Sequence, residues 1–198
     1  MKSLLDGLIP ELLDPQARDL ALEVQWWPLQ GLGLETPFPV AVVGQGPPLL
    51  MLHGFDSSFL EFRRLAPLLT ERFQLFIPDL FGFGFSPRPP QAAYGPAAVL
   101  RHLDALVAHL DAVGAIGVIG ASMGGAVAVE LARRQPERIH QLLLLAPAGL
   151  TGRPMPVRPL VERLGAWFLG RPGVRRGLCR QAFADPDGQV GPPEEQIA

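Results

Sequence analysis

The chain has 198 residues, 48% of them hydrophobic and 18% charged, a balance that folds into a domain with a core and does not stay disordered. Its formal net charge of −2 gives no electrostatic basis for binding nucleic acid. Cys179 stands alone, which excludes an internal disulfide, and no run approaches the roughly 18 uninterrupted apolar residues of a membrane helix.

Residues 1–14 are apolar but broken by Asp6, Pro10 and Glu11, so they lack the continuous core of a signal peptide. The cytoplasm is the expected compartment, without stable membrane insertion. A short helix is expected over 3–13. Residues 20–29 then alternate, with Leu20, Leu22, Val24 and Trp26 on one face and Glu23 and Gln25 on the other. That pattern predicts a half-buried strand. Residues 39–43 read as a second strand antiparallel to it, and Gly44-Gln45-Gly46-Pro47-Pro48 as a turn.

The texture changes at Leu49-Leu50-Met51-Leu52, a continuous apolar run typical of a strand covered on both faces. Residues 73–77, 116–119 and 142–145 repeat it. Helical spacing separates these runs. Phe62, Leu65, Ala66 and Leu69 mark 59–70; Val99, Leu103, Leu106, Val107 and Leu110 mark 96–113. A third helix over 122–135 stops before Pro136. The fold class is therefore α/β, a mostly parallel, doubly wound sheet with helices on both faces. Sites in such sheets form beyond the carboxyl ends of the strands. His53-Gly54-Phe55, Asp79, Ser122 and Pro147-Ala148 all fall there. Residues 149–198 are rich in Pro, Gly and Arg; 161–170 and 174–183 read as short helices, with no strand.

Gly120-Ala121-Ser122-Met123-Gly124 is the pattern that carries chemistry. An apolar strand enters it and a helix leaves it. A serine on such a turn has its hydroxyl lifted above the sheet. Side chains at Gly120 and Gly124 would collide there, so both glycines are steric requirements. The starting helix aims N–H groups at negative charge forming beside Ser122. The hydroxyl needs a base to act as a nucleophile, and His140 is the one histidine after it.

In this combination the chain resembles the α/β-hydrolases over roughly residues 20–198. His53-Gly54-Phe55 is similar to the segment after that family's third strand. Asp79-Leu80-Phe81-Gly82-Phe83-Gly84-Phe85-Ser86 is similar to its D-x-x-G-x-G-x-S loop, and residues 120–125 to its nucleophile turn. The resemblance implies Ser122 as nucleophile and the backbone N–H groups of Phe55 and Met123 as oxyanion donors. His53, Gly54, Gly120 and Gly124 would support the two turns. It also implies a core over 1–149 and a cap segment over 150–198, with Trp167 and Phe168 as candidate apolar walls over the serine. Serine at 122 argues against the branches that use an aspartate nucleophile.

The family takes its acid and base from loops after later strands, and the expectation is that this chain stops before them. No residue is assigned to either role; His140 precedes strand 142–145, away from the catalytic face. The expected function is a serine hydrolase acting on a small ester or related carbonyl compound through an acyl-enzyme. The alternative is a non-catalytic, truncated hydrolase-like binding or interaction protein. The expected partner is a small-molecule substrate; no cofactor or metal is called for, and the oligomeric state is open. His53 is expected to order the oxyanion loop, Asp79 to brace its turn, and His102 and His109 to lie on a solvated helix face. Trp26 and Trp27 are expected to pack on a strand.

Overall fold

A computed structural model describes residues 2–110 and 114–149. The expected cap, with Trp167 and Phe168, lies outside the described residues. Helix α1 (Lys2–Leu8) leads through a tight turn to α2 (Pro15–Leu22). Strands follow as β1 (Val24–Trp27), β2 (Phe38–Val43), β3 (Pro48–Leu52) and β4 (Gln74–Pro78), with the short helix α3 (Ala66–Leu69) before β4. Then come α4 (Pro96–His109), β5 (Ile116–Ala121), α5 (Met123–Arg134) and β6 (Ile139–Leu145).

The six strands form one sheet in the order β1-β2-β4-β3-β5-β6. The first two pairings are antiparallel, and β4, β3, β5 and β6 run parallel. Alternate side chains go to opposite faces, which explains the unbroken apolar runs. Leu50, Leu52, Phe76, Ile116 and Val118 pack with α4 and α5. Leu49, Met51, Leu75, Ile77 and Ile119 pack with α1, α2 and the segment before β4. Each fully buried leucine contributes about 1.5–3 kcal/mol.

Two expected elements differ. Residues 20–22 belong to α2, not to a strand, so the strand shortens to Val24–Trp27. Asp14 accepts the Gln16 N–H at 3.0 Å and Pro15 occupies the first turn, a helix start that overrides the alternation. The helix expected over 59–70 is split into a tight turn at Phe59–Phe62 and α3. Between them Arg63 is buried against Asp14, Nε to Oδ2 2.8 Å, which ties this segment to the start of α2. At the far edge, Leu142, Leu143 and Leu145 of β6 are exposed.

Candidate active site at the carboxyl ends of the parallel strands

Three non-glycine residues among those described have positive φ: Asp56 at 56°, Ser122 at 50° and Ala146 at 43°. They follow β3, β5 and β6, three adjacent strands of the sheet. Such backbone is strained by about 1–3 kcal/mol per residue and persists only where packing dictates it. Strain thus gathers at the rim where the sequence places the chemistry.

At Ser122 the packing is steric. A Cβ on Gly124 would lie 2.1 Å from the Leu52 carbonyl oxygen, and one on Gly120 2.6 Å from that of Gly124. One on Gly125 would meet the Pro147 Cβ at 2.7 Å. Helix α5 therefore begins flush against β3 and β5, and the bend must be taken up at Ser122. The Ser122 N–H donates to Leu145 O at 2.9 Å and its carbonyl accepts from the Ala148 N–H at 2.8 Å. Ser122 is exposed. Met123 is the first residue of α5, so its N–H is one of those the helix leaves unpaired.

The facing loop is held by polar contacts. Register pairs Leu52 with Gly120, which brings His53-Gly54 beside Ser122. A Cβ on Gly54 would stand 3.4 Å from the Ser122 Cβ. His53 is fully buried; its Nε2 accepts the Leu80 N–H at 3.0 Å, and Nδ1–H donates to Gly54 O at 2.7 Å. Burial brings its pKa down to about 4, so the ring stays neutral, with both nitrogens occupied. It orders the loop and has no nitrogen left for the serine proton.

Asp79 braces the next turn. Its Oδ1 accepts the Phe59 N–H and its Oδ2 the Phe85 N–H, each at 2.6 Å. Burial pushes its carboxyl up to about 7, against those two hydrogen bonds and the nearby Arg88. Gly84 is obligatory here, because a Cβ would fall 2.2 Å from Asp79 Oδ2. The Ser86 hydroxyl donates to Asp79 O at 2.8 Å.

The other histidines stand elsewhere. His102 does not lie on a solvated face: it is fully buried, its ring 4.6 Å from that of Phe38, and neither nitrogen has a hydrogen-bond partner among the described residues. Burial, then the nearby His53, brings its pKa down to about 3. His109 packs on Trp27 at 4.6 Å, and Trp27 also meets Phe76. His140 is exposed near the amino end of β6 and bonds Glu137 O.

One residue of the site was not foreseen. Glu61 Oε2 accepts the Gly54 N–H at 2.9 Å. Burial raises its carboxyl pKa, opposed by hydrogen bonds from Gly54 and Ser57. The signal was local: Ser58-Phe59-Leu60-Glu61 has the S-x-x-E spacing of a capping box. Ser58 does cap the turn through the Leu60 N–H at 3.3 Å. Glu61 reaches past it to Gly54.

An apolar cavity of about 690 Å³ reaches Phe55 and Met123, the residues that follow Gly54 and Ser122. Phe55, Phe81, Phe83, Val99, Met123 and Val127 line much of it. Phe55, itself exposed, meets Phe83 edge-on at 5.5 Å.

Comparison with known proteins agrees with this architecture. Residues 47–191 match the family model for the alpha/beta hydrolase fold. A 2-hydroxymuconate semialdehyde hydrolase from a Pseudomonas strain is 34% identical over 111 residues, 54% of this chain and 39% of that protein. Lipase 1 of Psychrobacter immobilis is 39% identical over 111 residues, 56% of this chain and 35% of its own length. A solved structure described as a putative lipase from Acinetobacter baumannii superposes with a TM-score of 0.72 at 21% identity, over 98% of this chain and 62% of that one, a likeness of fold. The aligned stretch is thus about two fifths or less of the curated relatives' length. No helix among the described residues is long and apolar enough to cross a membrane. With its parallel core, its glycine-flanked serine turn and this family match, the chain belongs to the α/β-hydrolase fold family.

Proposed function

We propose that Ser122 is the nucleophile of a serine hydrolase whose substrate is a small ester or related carbonyl compound. One observation carries this reading: the exposed Ser122 sits in a strained turn between Gly54-Phe55 and the first amide of α5. The Oγ adds to the substrate carbonyl carbon and its proton passes to a base. The carbonyl oxygen becomes an oxyanion, stabilised by the N–H groups of Phe55 and Met123. Such a donor is worth about 100- to 1000-fold in rate. Collapse expels the leaving group and leaves an acyl-enzyme, which water cleaves. The cavity, walled by Phe55, Phe83 and Met123, suits an apolar acyl or aryl group.

No base is assigned: both ring nitrogens of His53 are engaged with Gly54 and Leu80, His102 is buried beside Phe38, His109 packs on Trp27, and His140 bonds Glu137 O. The two curated relatives are both named as hydrolytic enzymes, which gives no support to the non-catalytic alternative. Labelling with a fluorophosphonate and mapping the adduct tests the reading. The expected result is modification at Ser122 that disappears in Ser122→Ala. Modification elsewhere, or undiminished labelling of the alanine variant, refutes it.

A further inference from the structure

We propose that Glu61 is a positioning residue for the oxyanion site: through its bond to Gly54 it sets, together with His53, the direction of the Phe55 N–H. The inference rests on the reading of Ser122 as nucleophile. Gly54 has no Cβ and is the freest point of the loop. Both peptide planes that meet at it are pinned. The plane before it is held where Glu61 Oε2 accepts the Gly54 N–H at 2.9 Å. The plane after it is held where His53 Nδ1–H donates to Gly54 O at 2.7 Å. A trans peptide is planar, so the Phe55 N–H points opposite to that carbonyl. Fixing the two atoms of Gly54 therefore fixes the donor one residue on.

Glu61 shares a neighbour with the serine. A single point, the Cβ position of Gly54, lies 3.4 Å from the Ser122 Cβ and 3.5 Å from Glu61 Oε2. Glu61 and Ser122 are thus both neighbours of Gly54, and a negative charge on the carboxyl would not favour an oxyanion at the serine. What the site needs from it is an acceptor. Glutamine supplies one too, and its amide can donate to Ser57, which hydrogen-bonds Glu61.

The test is the rate of fluorophosphonate labelling at Ser122, measured well below each variant's unfolding temperature, with Gly54 amide exchange followed in parallel. Glu61→Ala is expected to slow labelling at least tenfold and to speed Gly54 exchange. Glu61→Gln is expected to label at the wild-type rate or faster, with Gly54 still protected. A purely structural contact would lower the melting temperature of Glu61→Ala and leave its labelling rate unchanged, which overturns the proposal. Equal impairment of the alanine and glutamine variants overturns it as well, because the charge and not the acceptor would then matter. A wild-type protein that labels nowhere refutes the Ser122 reading, and this proposal with it; labelling that is merely insensitive to Glu61→Ala refutes this proposal alone.

Discussion

Two turns meet above the sheet, and they are held by different forces. The turn at Ser122 is shaped by exclusion: Gly120, Gly124 and Gly125 leave no room for a side chain, and the bend falls on a serine at φ 50°. The turn at Gly54 is shaped by attraction, through His53, Glu61 and, beyond them, Asp79. Exclusion fixes a position through short-range repulsion, so it tolerates almost no change and depends little on pH. Attraction fixes a direction through hydrogen bonds, so it responds to protonation and can be tuned by one atom. On the proposed reading, the nucleophile has to be in one place and the N–H donor has to point one way.

The contrast breaks most sharply at Gly124. Gly124→Ala would put a methyl 2.1 Å from the Leu52 carbonyl oxygen, and the backbone there cannot yield. The expected loss is about 4 kcal/mol or more, read as little or no soluble folded protein or a collapsed urea midpoint. Asp79→Ala attacks the polar side. It strands the buried Phe59 and Phe85 N–H groups and is expected to lower stability by about 2–5 kcal/mol, read by urea unfolding at pH 7.5.

A smaller effect, outside both turns, is set by pH in the core. His102 is neutral in the folded protein, with a pKa down to about 3, while in the unfolded chain it binds a proton near 6.5. Its share of stability is whole above pH 6.5 and drains as pH falls below it. His102→Leu removes that drain. Its stability relative to wild type is expected to rise by about 1.4 kcal/mol between pH 7.5 and 5.5. A difference that stays flat across that interval would show that His102 is not held neutral. The smallest effect is a gain. Ser122→Gly relieves the positive φ and is expected to stabilise the fold by about 1 kcal/mol while abolishing labelling, so that the strain at this turn serves chemistry and not folding.

The sequence disclosed the sterically shaped turn well, because its requirements are local: a glycine two residues either side of the serine, a strand before and a helix after. The parallel strands were equally visible, since burial on both faces needs unbroken apolar runs. The polar turn was only half legible. His53 and Gly54 stand out, but the Leu80 N–H that holds His53 is 27 residues away and becomes a partner only when β3 and β4 pair. Glu61 hid behind an ordinary capping pattern. His102 was misplaced although Val99, Leu103 and Leu106 bracket it on the buried face of α4; its polarity outweighed its position. Residues 20–22 misled because an alternating pattern over so short a stretch cannot outweigh a helix begun at Asp14-Pro15.

The claim on which all of this depends is that the two turns together build one oxyanion site. The direct measurement is a crystal structure with phenylboronic acid, which adds to a nucleophilic oxygen and leaves a tetrahedral boron. Boron is expected on Ser122 Oγ, with one of its oxygens about 2.7–3.1 Å from both the Phe55 and the Met123 nitrogen. Boron bound at another residue, or on Ser122 with no boronate oxygen near those two nitrogens, would contradict it.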